Sequence, residues 1–371
     1  MLYFDHSATT PIHPDVQLLI NELNQDIYGN PSSVHAAGRK AKYVVETARK
    51  QIANTINCDP KEIIFTGGGS EANNLVLWNM IYRDRKHVIT SSIEHPAILT
   101  VLQQLEHLSI THTVVPVNKY GCVNPEDIDS AIKDDTGLIT IMMANNEVGT
   151  VEPLQDIAKI AKKHDVLLHS DGVQVLGKLP IDVQKLGVDM MSFSAHKFYG
   201  PKGVGALFYN KNISPIMYGG NQEKSIRPGT LAVPLIVGFG KACEIAQQII
   251  NHESKKILEL RNMLLNKILD QYPDTIINGD IDKRIPGNLN LSFPILKGQS
   301  IVTSISKIAI SSGSACTSSS PKPSHVLSNI GQDKKTSNSS IRIGIGRFNT
   351  KDEILIAAED IINSIKNKTN A

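Results

Sequence analysis

The chain reads as an α/β protein: a mostly parallel sheet covered by helices on both faces, followed by a smaller α+β domain. Three observations predict this. For most of the length, short apolar runs of strand size alternate with helical periodicities, the pattern of strands joined by helical crossovers. After about residue 234 the alternation gives way to one long helical stretch, reaching about residue 271, and then to short strands and helices. Finally, 371 residues exceed what one simple core holds, so two domains are expected. No flexible linker is visible, which puts the boundary inside the long helix.

The elements follow in order. Ala41, Val44, Val45, Ala48, Ile52, Ala53 and Ile56 recur at helical spacing. Residues 63–65 form a short apolar strand, and Gly67-Gly-Gly-Ser-Glu-Ala then opens a helix with Ser70 as its N-cap. Strand-like runs recur at 88–90, 113–115, 138–143, 166–169 and 188–193. Beyond the long helix come a strand at 288–293, a short helix near Ser300, a strand at 309–312, a strand at 340–345 and a terminal helix. The polar, Lys/Ser-rich stretch 332–338 reads as a mobile loop. No internal repeat is present.

Composition narrows the function. Hydrophobic residues make up 41% and charged residues 20%, ordinary values for a globular protein. The net charge of +2, without a basic block or an aromatic–basic stripe, argues against nucleic acid as a direct ligand. No apolar run approaches the ~20 residues of a membrane span, and the N-terminus does not read as a signal peptide. Four cysteines without CxxC spacing do not make a disulfide framework, so a reducing cytoplasm is the expected location.

The stretch Met191-Ser-Phe-Ser-Ala-His-Lys-Phe-Tyr-Gly-Pro-Lys-Gly203 carries the strongest chemical signal. A lysine just past a strand end, beside a hydroxyl and an imidazole, suits a cofactor with an aldehyde and a phosphate. Lys197 would form the Schiff base, and Ser194 and His196 would hold the phosphate. The alternative is a solvated surface lysine. Thr66-Gly-Gly-Gly-Ser-Glu lies between a strand and a helix start, where backbone N–H groups and the helix dipole favour an anion. It is neither a P-loop nor a dinucleotide fingerprint, and a plain tight turn reads the same way.

His169-Ser-Asp-Gly-Val-Gln174 follows another strand. Asp171 can pair with a protonated pyridine nitrogen and keep the ring electron-poor, with Gln174 on the phenolic oxygen. It can equally cap a helix. His95 can lie flat on a planar cofactor or be a satisfied loop histidine. Asn145 and Asn146 are either turn formers or polar contacts to ring and substrate. Cys316, in Ser311-Ser-Gly-Ser-Ala-Cys316-Thr-Ser-Ser-Ser-Pro, stands among small polar residues that suggest a mobile, exposed loop. A thiol there can react or carry a group, or be a bystander. Cys58, Cys122 and Cys243 fit the ordinary role of a small hydrophobe or sit in unremarkable loops.

Together these segments resemble the pyridoxal-phosphate cysteine desulfurases of the NifS/IscS type, in the class V aminotransferase family. Further matches are Tyr3-Phe-Asp-His-Ser-Ala-Thr-Thr-Pro, Tyr28-Gly-Asn-Pro-Ser-Ser, Arg227-Pro-Gly-Thr230 and Ser340-Ile-Arg342-Ile-Gly-Ile-Gly-Arg-Phe. The resemblance covers nearly the whole chain, and its Lys197 and Cys316 segments are the most specific. It implies the fold-type I architecture of a homodimer. A large cofactor-binding domain with a mostly parallel seven-stranded sheet would span 15–250. A small α+β domain, carrying the cysteine loop, would comprise 1–14 and 251–371.

The resemblance also assigns roles by matched position. Lys197, Cys316 and His95 would be catalytic: Lys197 holds pyridoxal 5′-phosphate and moves protons, and His95 stacks on the ring. Asp171 would pair with the pyridine nitrogen and Gln174 with the ring oxygen. Gly69, Ser70, Ser194 and His196 would hold the phosphate, joined by Thr230 from the other subunit. Asn146 would touch cofactor and substrate, and Arg342 would grip the substrate carboxylate as a fork. Read without the resemblance, Arg342 is equally a strand-exposed cation. No metal is implied.

The implied reaction converts L-cysteine to L-alanine, with the sulfur passing to Cys316 as a persulfide and then to an acceptor protein. That protein would serve iron–sulfur cluster assembly or tRNA thiolation. The rival readings are a selenocysteine lyase, another lyase or aminotransferase of the same fold, and a catalytically idle sulfur carrier. A transaminase needs no mobile thiol, and an idle carrier needs no Lys197, Asp171 and His95. Three departures from the family pattern are Gly-Gly-Ser-Glu in the phosphate turn, which keeps a hydroxyl, and the small-for-small swaps Gly172 after Asp171 and Ala195 before His196. Family members that serve a scaffold often carry a longer tail after the last helix, so the stop at Ala371 leaves tRNA thiolation or another acceptor open.

Overall fold

The computed structural model describes residues 1–312 and 324–370. The chain opens with β1 (Leu2–Tyr3), α1 (Pro14–Asp26) and α2 (Ala36–Ile56). There follow β2 (Ile63–Thr66), α3 (Gly69–Trp78), β3 (His87–Ser91), α4 (Pro96–Leu105) and β4 (Thr111–Val115). Next come α5 (Pro125–Ala131), β5 (Thr136–Thr140), α6 (Leu154–Lys163), β6 (Leu167–Asp171) and α7 (Val183–Leu186). β7 (Met190–Ser194) and β8 (Gly205–Tyr209) complete a seven-stranded sheet in the order β2-β8-β7-β6-β5-β3-β4. Only β8 runs antiparallel to its neighbours.

Every residue of β2, β3, β5 and β7 is buried. A strand covered on both faces has no polar side to present, which is why these segments read as continuous runs rather than alternations. β5 stops at Thr140, short of the expected Met143: the chain turns there into the Asn145 loop.

The long helix is continuous: α8 spans Val233–Gln271. β9 (Ile276–Ile277), β10 (Asn288–Ser292), β11 (Ile308–Ala309), α9 (His325–Asn329), α10 (Lys334–Asn338), β12 (Ser340–Gly344) and α11 (Lys351–Asn370) complete the described chain. β12-β10-β9 form an antiparallel sheet, and β1 pairs in parallel with β11. Two expectations are corrected here. The helix near Ser300 is a single 3-10 turn at Pro294–Leu296. The stretch taken for a mobile loop contains α10, whose first turn is capped by Asp333 accepting from Thr336 N at 2.7 Å.

α8 contributes to two apolar clusters. Ile236 to Ala246 join the cluster of α1, α2 and the large sheet, while Leu260, Leu264 and Ile268 join β10, β12, α11 and Phe4. Among the described helices α8 alone is long and apolar enough to cross a bilayer, contrary to the sequence expectation, yet it packs against α1, α2 and α11 as a core helix.

The contact between α2 and α8 is close because α8 presents glycine. A Cβ on Gly240 would stand 2.7 Å from Ala48 Cα and 2.5 Å from Gln51 Oε1. Gly240→Leu is therefore expected to lose about 1–3 kcal/mol through overpacking. Urea unfolding should show a lower midpoint with an unchanged slope, and a wild-type midpoint would mean the helices are not this close.

Candidate active site

Four parallel strands deliver their carboxyl ends to one edge of the sheet, where α/β proteins bind ligands. β3 leads to Glu94 and His95, β5 to Asn145 and Asn146, β6 ends in Asp171, and β7 ends in Ser194 just before His196 and Lys197. A pocket of about 250 Å³ opens there. His95, Asp171, Gln174 and Lys197 line it, as do Gly69, Ser70, Ser194 and His196, and so do Asn146 and Arg342. Thr230 is exposed and lies outside it. Cys316 lies outside the described residues.

Lys197 sits in a 3-10 turn, Ala195–Lys197, and is not a free surface lysine. Its Nζ donates to Ser7 O at 3.1 Å and Ala8 O at 2.7 Å. The N-terminal segment was matched to the family in sequence but given no part in the site. It also clamps the lysine turn: Thr10 Oγ1 donates to His196 O at 3.0 Å and accepts from Tyr199 N at 2.6 Å. The His196 ring contacts Thr9 Oγ1 at 3.0 Å. Burial and the neighbouring lysines push His196 down to about 4, so its imidazole is neutral near pH 7.

The reading of Asp171 as a helix N-cap is corrected. Oδ1 accepts from Val173 N at 2.9 Å, but this closes a turn, and no α-helix starts there. Oδ2 accepts from Asn73 Nδ2 at 2.7 Å. Asn73, on α3, was missed by sequence reasoning because only the folded sheet brings α3 beside the end of β6. His95 caps α4, accepting from Ala97 N at 3.0 Å through Nδ1. An accepting Nδ1 places the proton of the neutral ring on Nε2. Burial lowers its pKa, which keeps it neutral.

The expected Ser70 cap is replaced by Gly68, because α3 begins at Gly69. Gly68 has φ +153°, a conformation that side chains resist, and its carbonyl already accepts from Ala72 N at 3.1 Å. A Cβ on Gly69 would meet Val173 Cγ2 at 2.4 Å. The first-turn N–H groups of α3 face no preceding helical turn, as at any helix start, and they adjoin Ser194 and His196 in the pocket lining.

Arg342 is 2% exposed, so the reading of a strand-exposed cation is corrected. Its guanidinium donates to Asp5 Oδ1 at 2.9 Å and Asn146 O at 3.2 Å. Asp5 is the counter-ion that sequence alone did not select; the burial of the Arg342 guanidinium is the signal that one was needed. The two asparagines divide their roles. Asn145 holds its turn, accepting from Glu147 N and Val148 N at 2.8 and 3.0 Å, while Asn146 lines the pocket.

This donor set fits pyridoxal 5′-phosphate: a lysine for its aldehyde, a carboxylate for its ring nitrogen, an imidazole beside the ring, and a helix start with Ser194 and His196 for its phosphate. The three described cysteines are unsuited to nucleophilic work. All are free thiols, and burial pushes Cys58 up to about 12, Cys122 to about 11 and Cys243 further still.

Comparison with known proteins agrees with this fold. Residues 2–356 match the family Aminotransferase class-V. The mitochondrial cysteine desulfurase of Arabidopsis thaliana is 44% identical, over 98% of this chain and 82% of its own. The cysteine desulfurase IscS of Dictyoglomus turgidum is 42% identical, over 98% of this chain and 95% of its own. Among solved structures, a NifS-like protein superposes with a TM-score of 0.92 at 34% identity, covering 98% of this chain and 99% of its own. SspA in complex with cysteine superposes with a TM-score of 0.82 at 35% identity, covering 94% and 100%. The chain belongs to the class V aminotransferase family of pyridoxal-phosphate enzymes. Within that family it is a cysteine desulfurase of the NifS/IscS type.

Glu94, directly before His95, offers a test of how the site is anchored. Its Oε1 accepts from Ser91 Oγ at 2.7 Å and Met142 N at 2.9 Å, while Oε2 has no partner among the described residues. Burial raises this carboxyl well above the ordinary 4.5. The folded state then binds a proton that the unfolded state releases above pH 4.5, so this group's contribution to stability falls as pH rises. Glu94→Gln keeps the acceptor and removes that slope, at most about 1.4 kcal/mol per pH unit. Denaturant titrations should show the variant gaining on wild type from pH 5 to 7; parallel pH curves would refute a protonated Glu94.

Proposed function

We propose that this pocket binds pyridoxal 5′-phosphate and L-cysteine, and that the enzyme passes the substrate's sulfur to Cys316 as a persulfide while releasing L-alanine. The observation that carries this reading is the meeting of Lys197, Asp171, His95, Asn146 and Arg342 at one pocket. In that pocket Lys197 would hold the cofactor aldehyde and Asp171 its ring nitrogen, with Gln174 at the ring oxygen and His95 against the ring. Gly69, Ser70, Ser194 and His196 would hold the phosphate. Bound there, the cofactor supplies an electron sink for the substrate carbon.

The residues supply the rest. Arg342 offers its guanidinium fork to the substrate carboxylate, with Asn146 beside it. Lys197 Nζ takes the Cα proton. The Cys316 thiolate attacks the substrate sulfur: an S–S bond forms, the Cβ–S bond breaks, and its electron pair stays with the substrate carbon, which then takes up a proton. The persulfide sulfur next passes to an acceptor thiol. Support for Cys316 in this role comes from the described residues on either side of its segment. Ser311 N and Arg342 O lie 3.3 Å apart in a β-bridge, and Ser324 Oγ donates to Glu147 Oε2 at 2.5 Å.

The acceptor would be a protein of iron–sulfur cluster assembly or tRNA thiolation, in the cytoplasm; the free thiols of Cys58, Cys122 and Cys243 suit a reducing compartment. A second copy of the chain would complete the enzyme. Tyr28, Val34, Tyr43 and Tyr218 are 73–88% exposed, and Thr230 is exposed rather than turned into its own chain's pocket. Thr230 would then join the partner's phosphate site. The division into 15–250 and 1–14 with 251–371 would fall within α8, between its two apolar clusters.

Cys316→Ser is expected to keep the bound chromophore but lose alanine formation from L-cysteine, measured by mass spectrometry; unchanged turnover would remove the thiol from the mechanism. Comparing L-selenocysteine in the same assay separates the selenocysteine lyase reading, for which the variant would retain activity. Lys197→Ala is expected to lose the borohydride-reducible cofactor linkage. A covalent adduct persisting on another lysine would show that the attachment lies elsewhere.

A further inference from the structure

An amide side chain has nearly the same shape in both flips, and only its partners decide which end faces where. Gln174 has such a partner in Lys178, one helical-turn spacing further along the chain. Lys178 Nζ donates to Gln174 Oε1 at 3.2 Å. An ammonium is donor only, so it selects the oxygen. Gln174 Nε2 is thereby turned the other way and donates to Ser7 O at 3.1 Å, the carbonyl that also accepts from Lys197 Nζ. An amide nitrogen has a second N–H.

Lys178 does not line the ligand pocket. It lines a cavity of about 30 Å³ on the far side of Gln174, together with His6, Tyr199 and Glu253. The carboxylate in that cavity, Glu253, is engaged by Arg347 at 2.5 Å, and the buried His6 is pushed down to about 4 and is neutral. Burial, with Lys197 and Arg342 nearby, pushes the Lys178 ammonium down to about 7. Among the described residues no carboxylate lies in ion-pair range of the part-buried Lys178 ammonium, and Gln174 Oε1 is its hydrogen-bond acceptor. Holding Gln174 gives it a task.

We propose that Lys178 is a positioning residue: it fixes the Gln174 amide so that the second N–H is presented to the phenolic oxygen of the pyridoxal ring. This rests on the reading that Gln174 contacts that oxygen. The hydrogen bond stabilises the ionised oxygen, so losing it should let the protonated form of the bound chromophore persist to higher pH.

The test is a pH titration of the absorbance of the cofactor-loaded protein, without substrate, for wild type, Lys178→Met, Gln174→Leu, the double variant and Lys178→Arg. Each of the first two single variants is expected to move the midpoint upward by about half a pH unit or more. The double variant should move it no further than the larger single shift, because the two residues act through one hydrogen bond. Lys178→Arg, which keeps a donor at Oε1, should return the midpoint toward wild type. Thermal melting checks folding; if Lys178→Met does not fold, Lys178→Leu takes its place. A wild-type midpoint in Lys178→Met overturns the proposal. So do shifts that add in the double variant, since Lys178 would then act as a separate charge. If Gln174→Leu alone leaves the midpoint unmoved, the placement of Gln174 at the phenolic oxygen fails, and the proposal falls with it.

Discussion

The site depends on residues 7–10 lying across the lysine turn. Ser7 O accepts from both Lys197 and Gln174, Ala8 O accepts from Lys197, and Thr9 and Thr10 hold His196 and Tyr199. Tyr199 needs this clamp: its φ of +71° is a left-handed conformation that costs a bulky residue on the order of 1–3 kcal/mol. The conformation is held by the Thr10 hydroxyl, by the Phe348 ring at 5.4 Å, and by the Arg347 guanidinium 4.3 Å above the Tyr199 ring. Three distant stretches of chain therefore meet at one strained residue, two positions past the lysine. The sheet supplies the edge on which a ligand can lie, and the N-terminal segment fixes the lysine there.

Cations gather around this clamp, with Asp171 the carboxylate of the pocket lining and Asp5 paired with Arg342. Lys197 and Arg342 line the pocket, and Lys178 stands behind Gln174. Burial and these cations lower the pKa values of His95, His196 and His6, so the imidazoles add no further positive charge near pH 7. Fixed cations beside neutral histidines suit a ligand that brings its own negative charge, as phosphate and carboxylate groups do. As neutral rings they each offer one hydrogen-bond donor and one acceptor. In His95 the helix cap has already committed Nδ1 to that role, leaving Nε2 as the protonated nitrogen.

Much of this was legible in the sequence because the chemistry sits at strand ends. A buried strand that stops in Ser-Ala-His-Lys announces both the strand and the change of environment, and the same holds where β6 ends in Asp171. What was not legible is what crosses between segments. Asn73 supports Asp171 across 98 residues and Asp5 pairs with Arg342 across 337, and no local pattern encodes either separation. The Ser70 cap failed for a local reason: a hydroxyl beside a helix start looks like a cap, but three glycines let the backbone take a conformation in which Gly68 fills that position. The polar stretch read as a mobile loop has an Asp333 cap that forms one short helix. Composition alone weighed its lysines and serines and overlooked that cap.

Long-range contacts also tie the described residues that flank segment 313–323 to Arg342 on one side and to the His95 loop on the other. On one side Ser311 bridges to Arg342 and its hydroxyl reaches Asp5 Oδ1 at 3.3 Å, the carboxylate that also holds the guanidinium. On the other, α9 is pinned to the His95 loop. His325 Nε2 lies 3.0 Å from Glu94 O, Asn329 Nδ2 donates to Ser92 O at 3.1 Å, and Val326 and Leu327 pack with Ile93 and Val148. The described residues on either side of segment 313–323 are thus held against Arg342 and the His95 loop by contacts that no local pattern encodes.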